Sequence, residues 1–263
     1  SMPEAYIINA GASSCVGSVL NATLWPHVDR ATSLLIDQGM PVVLTWDKIA
    51  DKVQVLKRLA VENKPRPETV VFDELSSMIR LLKNWMPPNA AKLGIAAEPK
   101  SEWKDLHGPA AWDVLYDTLV NMFQDLRNHG YGVYVVGHVV NAKIPLGENQ
   151  YTYKYELTIT DGFWKRLYYL FEMSAVIYRV EEEERETKEV KTSVRGVDKI
   201  ETRTTTRKVM NHYLSVQRLD LTGITKARVK LPEKIKLPED GAWAAFERLY
   251  VEASKNTLPG SDR

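Results

Sequence analysis

Cysteine is nearly absent from this chain. Cys15 is the single one in 263 residues, so no disulfide can close within one molecule and no cysteine cluster can hold a metal. A reducing compartment is the expectation. Long apolar runs are missing too: the longest, around Tyr131 to Val140, is too short to span a bilayer. No charged-then-apolar segment opens the chain, so it reads as cytoplasmic, of a host cell if phage-encoded, with no membrane partner. His27, His107, His129 and His212 lack metal-ligand spacing. Internal repeats and low-complexity tracts are absent as well. What remains is the composition of a globular protein, 44% hydrophobic and 26% charged, long enough for one large or two small domains.

The opening stretch Tyr6–Asn21, YIINAGASSCVGSVLN, reads as a strand, a turn of small residues and a helix. Backbone N–H groups exposed by Gly11, Ala12, Ser13, Ser14, Cys15, Val16, Gly17, Ser18 and Val19 suit an anion. A phosphate loop of the G-x-x-x-x-G-K-[ST] type needs a lysine and a hydroxyl in register. With Gly17 as its second glycine, Ala12 stands at the first, Ser18 at the lysine and Val19 at the hydroxyl. An ordinary turn after a strand is the competing reading.

Further along, apolar runs alternate with helical periodicity. Helix Val19–Trp25 and strand Ser33–Ile36 come first. Then follow a helix capped by Thr45 or Asp47, strand Thr69–Phe72, helix Ser76–Trp85, a long loop over Asn89–Pro109, helix Ala110–Asn128 and strand Gly132–Val136. Tyr153–Thr160 and Ala175–Val180 are expected strands, with a short helix Asp161–Phe171 between them and a closing helix over Asp240–Ala253. Such runs give a mainly parallel sheet with helices on both faces. Its carboxyl ends carry Asp73-Glu74 and His138, and ligands bind at such ends in open α/β sheets. Asp73-Glu74 starting the next helix as a cap, and His138 as a core histidine, are the plainer readings.

From Glu181 to Lys208 charge alternates with Thr and Val, which predicts two strands folding back through Arg195-Gly196 as a projecting β-hairpin over 179–217. A disordered loop is the alternative. Net charge is +1 overall, but Arg185 to Lys236 holds fourteen Lys/Arg against six Asp/Glu. Arg203, Arg207, Lys208 and Arg218, with Tyr213, are therefore candidates for binding single-stranded DNA.

The order of these pieces resembles the RecA-like P-loop ATPases of bacteriophages, the AAA-type group that includes single-strand annealing proteins. ASSCVGSV at Ala12–Val19 lies where that family has its phosphate loop. LLID (Leu34–Asp37) and TWDKIADKVQVL are similar to the next strand and helix, ETVVFDELSSM to the Walker B strand, GVYVVGHV to the sensor strand, and QRLDLTGITKARVKLPE with AWAAFERL to the closing hairpin and helix. The resemblance implies a three-layer α/β RecA-like P-loop NTPase fold in a single domain over 1–263, with the hairpin over 179–217 and a closing hairpin and helix over 218–263. It also implies ATP and Mg²⁺, Asp73 holding the metal through water, Glu74 as catalytic base, His138 sensing the γ-phosphate, and a ring or filament of identical subunits. Serine and valine at 18 and 19 remove the family's cation and metal-binding hydroxyl, so turnover is expected to be weak or lost unless Lys48 or Lys143 substitutes. A non-catalytic interaction module that kept the fold, and a scaffold binding DNA through its basic hairpin, are the alternative functions.

Overall fold

In the computed structural model the residues described are 5–10, 45–147, 150–157, 159, 161–194, 197–216, 226–238 and 241–255. They fall in two compact units, Ser1–Glu172 and Met173–Arg263. The turn Gly11–Val19, the helix expected over Val19–Trp25 and the strand expected over Ser33–Ile36 lie outside the described residues.

Three short strands organise the first unit. β1 (Ala5–Asn9), β2 (Thr69–Asp73) and β3 (Gly132–Val136) form a parallel sheet in the order β1-β2-β3. The register sets Tyr6 beside Val70 and Val133, and Ile8 beside Phe72 and Val135. Successive side chains alternate between faces, so these six share one face. Tyr6, Ile8, Val70 and Phe72 are buried there, with Val133 and Val135 packed more loosely.

The same cluster takes the apolar stripes of four helices. α1 (Trp46–Val61) contributes Trp46, Ile49, Val53 and Leu56, and the Thr45 hydroxyl accepts from the Lys48 N–H at its start. α2 (Leu75–Trp85) contributes Leu75, Met78 and Leu82 and stops before Pro87. α3 (Pro109–Asn128) begins with proline at its first position, where the missing N–H costs nothing. It buries Leu115, Leu119, Met122, Phe123 and Leu126, and Phe123 meets Phe72 of the central strand edge-to-face at 5.0 Å. α4 (Asp161–Leu170) adds Phe163, Leu167 and Leu170.

Ile7, Val71 and Tyr134 alternate to the opposite face and are not part of this cluster. This corrects the expected large, mainly parallel RecA-like sheet of three layers: the described parallel sheet has three strands, and the four described helices of this unit pack on one of its faces. The physical reason lies in strand order. The described strands advance without reversal, whereas helical layers on both faces of an open α/β sheet go with a reversal of strand order. Beyond β3, β4 (Val139–Gly147) and β5 (Gln150–Leu157) form their own antiparallel pair, with an irregularity between Pro145 and Gly147.

Antiparallel pairing dominates the second unit. β7 (Val176–Val194) and β8 (Val197–Ser215) are each 19 residues long and pair throughout their length. β10 (Ile235–Leu237) adds to the β8 base in the order β10-β8-β7, while β6 (Met173–Ser174) pairs with β9 (Lys226–Ala227). Leu214, Val216, Val229, Leu231 and Ile235 close a small core with Phe246 of α5 (Ala242–Lys255). The separate antiparallel sheet is the second departure from the expected fold.

Candidate functional site

The chemistry-bearing residues of the first unit meet at the carboxyl edge of the parallel sheet. β1 ends with Asn9 opposite Asp73, and Asp73 stands opposite Val136. The Ala10 N–H donates to the Asp73 carbonyl, which carries the chain leaving β1 along the end of β2. The Asp73–Glu74 peptide is cis.

Glu74 is the N-cap of α2, in extended conformation, yet its side chain caps no backbone N–H. Its Oε2 instead accepts from the Ser77 hydroxyl at 2.9 Å, which fixes the carboxylate and turns Oε1 toward the end of β3. There His138 Nε2 stands 3.7 Å from Glu74 Oε1, within ion-pair range and longer than a hydrogen bond. Glu74 is 17% exposed and His138 62%. His138 is thus a surface group, not a core histidine, and its imidazole faces a half-buried carboxylate.

A magnesium ion is held by one or two carboxylates together with waters and substrate phosphates. Asp73 and Glu74 are the two adjacent carboxylates at this edge that could hold such an ion. Among the described residues no three His, Cys, Asp or Glu side chains gather as a metal site, so most of the ion's shell would come from phosphate and water. Of the two lysines considered as substitute cations, Lys48 is exposed in the first turn of α1, and Lys143 stands in β4 opposite Tyr153. Gly11, Ala12, Ser13, Ser14, Cys15, Val16, Gly17, Ser18 and Val19 lie outside the described residues, as does Arg218.

The nucleic-acid candidates sit on the hairpin of the second unit. Arg207 donates to Glu184 at 3.0 Å, and Lys208 to Glu181 at 2.6 Å. Arg203 stands opposite Lys188 in register. Exposed ion pairs of this type contribute little stability, but they change the charge the surface presents. From Val176 to Ser215 there are nine Lys/Arg and eight Asp/Glu. The local excess counted from Arg185 leaves out Glu181 to Glu184, three of which pair with Arg207, Lys208, Lys234 and Lys236.

Sequence reasoning missed a second cluster at the base of that hairpin. The Tyr213 hydroxyl lies 2.6 Å from both Glu182 oxygens, Asn211 Nδ2 donates to Oε2 at 2.8 Å, and Lys234 Nζ is 3.3 Å from Oε1. Lys234 also lies 3.6 Å from the Tyr213 ring centroid, and Tyr178 stacks on that ring at 5.9 Å. The Tyr213 phenol is pushed up to about 12, first by the hydrogen bond to Glu182, then by burial and the Glu182 charge. Glu182 is held below the usual carboxylate range by the Tyr213 and Asn211 bonds, with Lys234 helping. Tyr213 is therefore buried and engaged, not a platform for a base. The available signal was spacing: Asn211 and Tyr213, two apart, share a strand face with the positions opposite Val180 and Tyr178. Ser77 was missed as well, although its position three residues after a helix-initiating glutamate is a local side-chain pairing distance.

A polar depression of about 500 Å³, lined by Arg66, Pro67, Glu68 and Gly130, lies at the opposite, amino end of β2 and β3. Its arginine is a structural clamp: Arg66 donates to the His129 carbonyl and covers the Tyr131 ring at 4.8 Å. Compared with protein-family models, with curated proteins and with solved structures, the chain matches none. Among the described residues no helix is long and apolar enough to cross a membrane.

Proposed function

We propose that this chain binds ATP with Mg²⁺ at the carboxyl edge of its parallel sheet and acts inside the cell in DNA recombination or replication, in the manner of phage recombination ATPases, with hydrolysis slow or lost. The observation that carries the reading is the convergence of three strand ends: the chain leaving β1 runs beside Asp73, and Glu74 faces His138 at 3.7 Å. In this reading Asp73 holds Mg²⁺ through water, Glu74 orients a water toward the terminal phosphate, and His138 senses that phosphate. Ser18 and Val19 stand where a lysine and a hydroxyl would otherwise neutralise and ligate, and losing such a charged contact slows phosphoryl transfer most.

One observation favours the non-catalytic alternative. The described strands run β1-β2-β3 without reversal, so among them there is no switch-point crevice of the kind that seats nucleotides in open α/β sheets. Thermal shift with millimolar ATP, with and without Mg²⁺, separates the two. The nucleotide reading expects a Mg²⁺-dependent rise in Tm that His138→Ala reduces. No rise favours the interaction module. Binding to a labelled single strand at two salt concentrations tests the DNA partner, which expects affinity that falls as salt rises.

A further inference from the structure

We propose that β7 is a dimerisation strand, through which two copies of this chain pair antiparallel about a two-fold axis at Thr187. β7 is the outermost strand in the order β10-β8-β7, and among the described residues no strand pairs with its other edge. Edges are ordinarily protected by short length, proline, a bulge or charged side chains, and of these β7 has only the charges. This one is 19 residues long, contains no proline, and pairs with β8 from Val176 to Val194 without a register shift. A long edge that no described strand pairs with is a template for another strand.

The sequence along that edge is complementary to itself. With Thr187 on the axis, Glu186 of one copy stands opposite Lys188 of the second, Arg185 opposite Glu189, and Glu183 opposite Lys191. Each pairing occurs twice by symmetry, as an isologous interface requires. Val180 falls opposite Val194, so the tip of one hairpin reaches toward the base of the other, and no like charges oppose each other between those positions. Neighbouring registers lack this property. Because opposed residues must share a face, the neighbouring symmetric registers put the axis at Glu186, which sets Glu186 against itself and Glu183 against Glu189, or at Lys188, which sets Lys188 against itself and Arg185 against Lys191. Opposite charges directly across a strand pair stabilise and like charges destabilise, so charge selects both the partner and the register.

The charge reversal Lys188→Glu separates pairing from folding. Within its own hairpin Lys188 makes an exposed ion pair with Glu186 at 2.9 Å, whose loss costs the fold little, while in the dimer a glutamate at 188 meets Glu186 of the second copy twice. Sedimentation velocity on the full chain, up to about 100 μM, should show a concentration-dependent dimer. Lys188→Glu should raise its dissociation constant about tenfold or more with the far-ultraviolet circular dichroism unchanged. The swap Glu186→Lys with Lys188→Glu should restore the wild-type constant. A single-chain mass at every concentration overturns the proposal, as does a dimer indifferent to Lys188→Glu, or one lost in the single variant and not recovered in the swap.

Discussion

Replacing Glu182 with glutamine removes a charge from the base of the long hairpin and keeps its shape. In the wild type the Tyr213 phenol is raised from 10.0 to about 12, and the largest cause is the hydrogen bond it gives to Glu182. Glutamine still offers a carbonyl oxygen, but neither the charged acceptor nor its field remains, while burial and the Glu184 charge persist. The proton affinity of Tyr213 should therefore fall about tenfold, part of the way to that of an ordinary phenol. Alkaline titration of the phenolate absorbance, with Tyr213→Phe to assign the signal, reads this directly.

The pH dependence of stability follows from the two directions. A raised phenol stabilises fully below its ordinary value and loses that contribution as pH climbs through about 12. Glu182, held below 4.5, stabilises above that value and loses its contribution as pH falls through the folded one. Urea denaturation should then show Glu182→Gln weaker than wild type between about pH 5 and pH 10, with the gap closing in acid. A Tyr213 titration unmoved by the substitution, or a stability gap that ignores pH, would refute the assignment.

Three further substitutions probe the first unit. The Tyr6 hydroxyl is buried and, among the described residues, meets no hydrogen-bond partner; Tyr6→Phe should be neutral or stabilising by up to about 1 kcal/mol in urea denaturation. Gly130 has φ +81, and a Cβ there would lie 3.1 Å from Arg66 Nη2. Gly130→Ala should cost about 1–3 kcal/mol in the same assay. Leu119 is fully buried between α3 and the sheet, and Leu119→Ala should cost about 2–5 kcal/mol.

Much of the local structure was legible because burial imposes a period. TVVF and GVYVV are too apolar for anything but buried strands, and the stripe of Leu115, Leu119, Met122, Phe123 and Leu126 could only be one face of a helix. The hairpin showed itself through charge alternating with Thr and Val, a pattern that exposes both faces. Strand order was not legible. A period of two says that a strand is covered, not which strand lies beside it, and the larger sheet was assembled on that missing information. β4 escaped notice because Asn141, Lys143 and Pro145 interrupt its apolar pattern.

At the site, Asp73, Glu74 and His138 could be located from strand ends alone, since parallel neighbours in register bring their carboxyl ends together. The Ser77 bond that orients Glu74 depends on a rotamer, which sequence does not specify. On the hairpin, the glutamates Glu181 to Glu184 were in plain view, but only the folded-back strands and side-chain conformations bring Glu181, Glu182 and Glu184 to Arg207, Lys208, Lys234 and Lys236. Charge counted along a chain differs from charge presented on a surface whenever strands fold back.

Calorimetric titration of ATP into the chain with Mg²⁺, repeated with Asp73→Asn, tests the carboxyl-edge site most directly. The account predicts saturable binding that needs Mg²⁺ and weakens about tenfold or more when the Asp73 carboxylate is removed. Binding of equal strength with and without Mg²⁺, or unchanged by Asp73→Asn, would contradict it, as would no heat at millimolar ATP.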